Sequence, residues 1–122
     1  FRNAQNNISY YIIVNHRNGI ETWSAEGQSF ISSLMNYDFT DNVSKAFGSN
    51  LVLKGTKYCI YSGDTDNDGS IDLTDINLVY NSASMFYQGY SAQDVNGDSL
   101  VDLTDLNLVY NNSVKFVRAV TP

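Results

Sequence analysis

The chain is poor in the residues on which most enzymes and metal-thiolate proteins rely. Its 122 residues include one cysteine, Cys59, and one histidine, His16. A lone cysteine excludes an internal disulfide framework and a thiolate zinc site. Its neighbours in "KYCIYSG" alternate as in a strand, which predicts a buried, inert thiol. His16 lies in "NHRNG", a predicted turn, and is expected at the surface. No Ser/His/Asp or Cys/His arrangement can be assembled around one histidine. A phosphate-binding glycine loop is missing too, and seven basic residues against 13 acidic ones argue against nucleic acid. No run of about 18 apolar residues exists, so no membrane-inserted helix is expected. The opening "FRNAQNNISYYIIV" lacks the basic-then-apolar pattern of a secretion signal, which leads us to expect a soluble, mature or trimmed chain.

What is present suffices for a core: 43% of residues are hydrophobic and 13% aromatic. The length fits one domain or two small ones. The net charge of −6 is unevenly placed. Residues 1–62 carry four acids (Glu21, Glu26, Asp38, Asp41) against five bases, whereas residues 63–122 carry nine against two. All nine fall within Asp64 to Asp75 and Asp94 to Asp105, so the acidity is a local device.

The first half reads as strands. "ISYYIIVNH", the turn "RNG" and "IETWS" predict a hairpin in which Asn18-Gly19 supplies positive φ. "SFISSLMNYDFT" and "LVLKGTKYCIY" read as two further strands, and "DNVSKAFGSN" between them as a turn or one short helical turn. Four strands are too few for a closed sandwich. The second half repeats itself: "DTDNDGSIDLTDINLVYNSASMF", beginning at Asp64, aligns without a gap on "DVNGDSLVDLTDLNLVYNNSVKF", beginning at Asp94. In each copy Asp72 or Asp102 can cap a helix, and Asp75 or Asp105 falls at its third position. Leu73, Ile76, Val79 and Tyr80, like Leu103, Leu106, Val109 and Tyr110, then form one stripe. Each stripe is too small to bury itself, so the two helices are expected to pack together.

The aspartates follow the spacing of a calcium loop, which takes oxygen ligands from positions 1, 3, 5, 7, 9 and 12. The first loop offers Asp64, Asp66, Asp68, the carbonyl of Ser70, Asp72 and Asp75. The second offers Asp94, Asn96, Asp98, the carbonyl of Leu100, Asp102 and Asp105. Position 6 must turn sharply, which Gly69 does freely and Ser99 at a strain on the order of 1 kcal/mol. With one carboxylate fewer as well, the second site is expected to be the weaker. Ile71 and Val101, at position 8, are expected to pair as a short sheet between the loops. Oxygen ligands without histidine or thiolate favour Ca²⁺, and two structural ions are expected.

Aspartate at position 12 in both loops, and no helical pattern leading into either, make residues 62–118 resemble a dockerin domain. Dockerins are calcium-dependent modules of secreted bacterial proteins that plug into cohesin partners. Positions 10 and 11 are Leu73-Thr74 and Leu103-Thr104, where cohesin-binding dockerins often carry Ser-Thr. The resemblance therefore extends to the calcium ligands and not to cohesin recognition. "YYIIVNHRNGIETWS" and "AFGSNLVLKGTKYCIYSGD" resemble a segment near the C-termini of large secreted proteins of Bacteroidetes-like bacteria, where a small β-sandwich leads into a dockerin-type pair. We therefore expect an α+β chain: a β-sandwich-like domain over residues 1–62, incomplete for lack of strands, and a dockerin-like calcium domain over 63–122. The expected role is a non-enzymatic, extracellular, calcium-stabilised assembly module. It would dock a cohesin-like partner or copies of itself, the latter by strand addition involving residues 1–12. The alternatives are a classical dockerin that binds a cohesin partner to anchor a secreted enzyme, and carbohydrate binding by Trp23 and the tyrosines; sequons at Asn7, Asn42 and Asn111 would accept glycans.

Overall fold

Strands β1 (Ser9–Tyr10), β2 (Ile13–His16), β3 (Gly19–Trp23), β4 (Gln28–Ser29), β5 (Val52–Lys54) and β6 (Lys57–Cys59) precede helices α1 (Leu73–Ser84) and α2 (Leu103–Ser113). The computed structural model describes residues 3–122, and these form a mixed α+β structure. The strands pair as three separate two-stranded sheets, β1 with β4, β2 with β3 and β5 with β6. The β half therefore has ribbons where a sandwich-like arrangement was expected.

Several local expectations are corrected. The stretch from Ser29 to Thr40 is not one strand. Ser32 and Ser33 take positive φ (51° and 64°), and Ile31 bridges to Leu34, so the chain reverses soon after β4. "LVLKGTKYCIY" is a hairpin: Gly55, at φ 60°, turns it, and Val52 pairs with Cys59. Alternation along β6 places Lys57 and Cys59 on the exposed side and half-buries Tyr58, so the thiol is exposed, not buried. His16 is exposed as expected. The β2–β3 turn is Arg17–Asn18, and neither Asn18 nor Gly19 has positive φ. The segment between β4 and β5 does form short helical turns, Val43–Lys45 and Phe47–Ser49, the first capped by the Asn42 side chain on the Ser44 N–H.

The chain divides into two compact units that interleave in sequence. The first takes the described residues up to Val14, then Thr22–Ile60 and Val120–Pro122. Its buried residues are small or polar, Thr22, Ser24 and Ala46, together with Leu51. The Ser24 hydroxyl accepts from the Ile12 N–H at 3.0 Å and donates to the Glu26 carbonyl at 2.8 Å. Gly48 has φ 63°, and a Cβ there would meet Val120 Cγ1 at 2.7 Å, so this position admits no side chain.

The second unit takes Asn15–Glu21 and Tyr61–Ala119. Its core joins Ile20 to Ile71, Val79, Val101, Val109 and Val117. The helices pack on each other as expected, but through a rotated face. Asp75 and Val79, and their counterparts Asp105 and Val109, are buried, while Leu73 is 67% and Leu103 70% exposed, and Tyr80 and Tyr110 also face out. The inward aspartates set this phase, because their carboxylates must reach the loop backbone behind the helix start.

The loops do not pair with each other through Ile71 and Val101. Each pairs with the segment that follows the other helix. The Ile71 N–H donates to the Val117 carbonyl at 2.9 Å and the Val101 N–H to the Tyr87 carbonyl at 3.0 Å. The Ala119 and Gly89 N–H groups return to the Gly69 and Ser99 carbonyls at 2.7 and 2.9 Å. Phe86 and Phe116, at φ 53° and 55°, turn the chain out of each helix so that these bonds can form.

Candidate metal centre

The first loop is wound on its own carboxylates. Asp64 is buried, and its two oxygens accept the Asp68 and Gly69 N–H groups at 3.1 and 3.2 Å. Asp66 Oδ1 also accepts from Asp68 N–H, at 3.2 Å, and Asp68 Oδ1 accepts from Ser70 N–H at 2.8 Å. Asp64, Asp66 and Asp68 thereby bring one carboxylate oxygen each within 4.8 Å of one another, a group that could hold a metal ion. Gly69 takes φ 89°, the sharp turn that its position required.

Asp72 and Asp75 are placed at the helix start. Asp72 Oδ1 accepts the Thr74 N–H at 2.7 Å, and Asp75 Oδ2 accepts the Asp72 N–H at 2.9 Å, a reciprocal capping box. Asp75 Oδ1 reaches back to the Thr65 N–H at 2.7 Å and the Thr65 hydroxyl at 3.0 Å. Asp75 thus ties the ends of the loop together. The Ser70 backbone bridges to Arg118.

The second loop repeats this wiring. Asp94 accepts from the N–H groups of Gly97, Asp98 and Ser99 at 2.8, 3.1 and 3.0 Å. Asn96 Oδ1 accepts from Asp98 N–H at 2.8 Å, and Asp98 Oδ1 from Leu100 N–H at 2.9 Å. Asp105 accepts from the Val95, Asn96 and Asp102 N–H groups, and Asp102 caps α2 on Thr104. The Leu100 backbone bridges to Gln88. Ser99 takes φ 72°, the strained conformation expected of it. Asn96 stands where loop one has Asp66, so Asp94 and Asp98 are its only carboxylates at positions 1, 3 and 5. Valine at position 95 also lacks the hydroxyl with which Thr65 binds the closing aspartate.

Crowding marks the first loop. Burial pushes the Asp64 carboxyl up to about 6; the Gly69 N–H works against this shift and the charges of Asp75, Asp68 and Asp66 add to it. Asp66 is raised for the same leading reason. Such a site stores unfavourable charge that a cation would relieve. The donors are carboxylate, amide and carbonyl oxygens with no nitrogen or sulfur ligand, so the residues fit a hard cation.

Sequence reasoning missed the contribution of the β2–β3 tip. Asn18 is buried, and its Nδ2 donates to the Ala92 and Asp94 carbonyls at 3.1 and 3.0 Å. Arg17 donates to the Ser91 and Asp94 carbonyls at 3.1 and 2.9 Å and lies over the Tyr90 ring, 4.4 Å from its centroid. These partners lie in the opposite half of the sequence, and no local pattern signals them. In the first unit the candidate stacking residue Trp23 has its ring against Tyr11, at 5.8 Å. No known protein family, curated protein or solved structure matches this chain.

Proposed function

We propose that the chain is a non-enzymatic, calcium-stabilised assembly module that works outside the cell, with a dockerin-like pair of calcium loops in its second unit. The observation that carries this reading is the near-identical hydrogen-bond pattern of the two repeated loops, with three carboxylates converging in the first. Calcium would be held by Asp64, Asp66, Asp68, the Ser70 carbonyl, Asp72 and Asp75, and by Asp94, Asn96, Asp98, the Leu100 carbonyl, Asp102 and Asp105. Its role is structural: it would neutralise the crowded carboxylates and lock both helix starts. Asp72 and Asp75, at the start of α1, stand outside the converging group of Asp64, Asp66 and Asp68, and Asp102 and Asp105 hold the matching places at the start of α2; these four would complete the two ligand sets.

The partner is a protein, either cohesin-like or a second copy of the chain. Self-assembly by strand addition would use the short two-stranded ribbons of the β half, apart from β3, which already bridges to Ser62 and Val120. Asn6 already bridges to Phe30, the Gln5 N–H donates to the Tyr10 hydroxyl at 3.0 Å, and Ser9–Tyr10 pair with Gln28–Ser29, so this part of the proposed arm would have to leave partners within the chain. Phe1 and Arg2 of that arm lie outside the described residues.

Calcium titration of chelator-treated protein, followed by a thermal melt, tests the reading. Calcium at about 100 times its Kd adds roughly 2.7 kcal/mol, which shifts the melting temperature of a unit this size by on the order of 10 °C. Identical melts with calcium and with chelator would refute it.

A further inference from the structure

We infer that the tip of the β2–β3 hairpin, which lies outside both repeats, holds the first-ligand corner of the second loop, with Arg17 and Asn18 as positioning residues for that calcium site. The inference rests on the calcium reading above. Asn18 is 2% exposed and fully engaged: Nδ2 spans the Ala92 and Asp94 carbonyls, Oδ1 accepts from His16 Nδ1 at 3.0 Å, and its backbone carbonyl accepts the Gly63 N–H at 2.7 Å. Gly63 immediately precedes Asp64. Arg17 adds a second clamp on the Asp94 carbonyl through Nη2, and its own carbonyl accepts from Asn67 Nδ2 at 3.1 Å. Two adjacent residues thus fasten the start of loop two to loop one.

The two loops close on their last aspartate differently. In loop one, the N–H and hydroxyl of Thr65 both bind Asp75 Oδ1; in loop two, where position 95 is valine, the N–H groups of Val95 and Asn96 bind Asp105 Oδ1, and the backbone of Asp94 is held in addition by the hairpin tip. The Asp94 carboxylate can be aimed by the Gly97, Asp98 and Ser99 N–H groups only if its backbone is fixed. Donors from the hairpin tip fix it. Arg17 also brings a positive charge 3.9 Å from Asp94 Oδ2, which by itself would oppose a cation. Tethering and charge therefore act with opposite signs on calcium affinity.

That opposition makes the inference testable in the full chain by calorimetric calcium titration, with Asp98→Asn used to assign which of the two binding steps belongs to loop two. Arg17→Gln and Asn18→Ala are each expected to weaken the loop-two step by about 10- to 100-fold and to change the loop-one step far less. Arg17→Lys keeps the charge but cannot reproduce the two-nitrogen clamp, so it should weaken the same step. Far-UV circular dichroism checks that each variant is folded; if Asn18→Ala is not, the Arg17 variants decide. Unchanged or tighter loop-two binding in Arg17→Gln overturns the inference and leaves the calcium reading standing. A wild-type chain that binds no calcium overturns both.

Discussion

Asp64 sits where solvent is largely excluded, and the balance of forces on its carboxyl changes with pH and metal. Its pKa is pushed up to about 6 in the fold by burial, against about 3.9 in an unfolded chain. Between those values the native state binds more protons than the unfolded one, so the stability of the metal-free protein falls as pH rises through that window. Asp66 shifts in the same direction. Asp38 is lowered, chiefly by the Thr40 hydroxyl, so its contribution is lost only at more acid pH. Chelator-treated protein should therefore melt at a higher temperature at pH 5 than at pH 7. The calcium-loaded protein should show the reverse, since protons compete with the ion for the same oxygens. Melting curves at the two pH values, with and without calcium, check both signs.

At the level of the helices, the loop carboxylates set the phase and the apolar residues follow. Asp75 is fully buried at the third position of α1 and accepts from two backbone N–H groups and one hydroxyl. Replacing it with alanine leaves those donors without an acceptor and removes half of the capping box. We expect Asp75→Ala to cost about 2–4 kcal/mol. Leu73→Ala, at the start of the same helix but largely exposed, should fall within about 0.5 kcal/mol of wild type. Urea denaturation of the two variants decides whether the carboxylate or the leucine anchors the helix. Equal losses would mean that Leu73 packs in solution where the structure has it exposed.

Across the whole chain, sequence order and compact unit do not coincide. The expected division at residues 62 and 63 lies beside the boundary at Ile60 and Tyr61, but Asn15–Glu21 joins the helical unit and Val120–Pro122 joins the other. Ile20 is the clearest consequence: it comes from strand β3, well before the first loop, yet is fully buried in one core with Ile71, Val79 and Val109. Its burial is worth about 1.5–3 kcal/mol. A fragment covering residues 61–122 lacks Ile20, Asn18 and Arg17, and we expect it to melt well below the helical unit of the full chain at the same calcium concentration. Thermal circular dichroism at a helix-sensitive wavelength provides the comparison.

The amino-acid sequence by itself determined what depends on near neighbours. The tandem repeat of loop and helix, the capping aspartates, the turn at Gly69, the strain at Ser99 and the crowding of Asp64, Asp66 and Asp68 all rest on short local windows, where spacing dictates geometry. Tertiary structure alone decided the exchange of loop and tail between repeats, the helix face that is buried, the exposure of Cys59 and the recruitment of Arg17 and Asn18. Those outcomes depend on which distant segments meet. A very short strand or a hairpin tip has too little local pattern to name its partner; that choice is made by the core it helps to close.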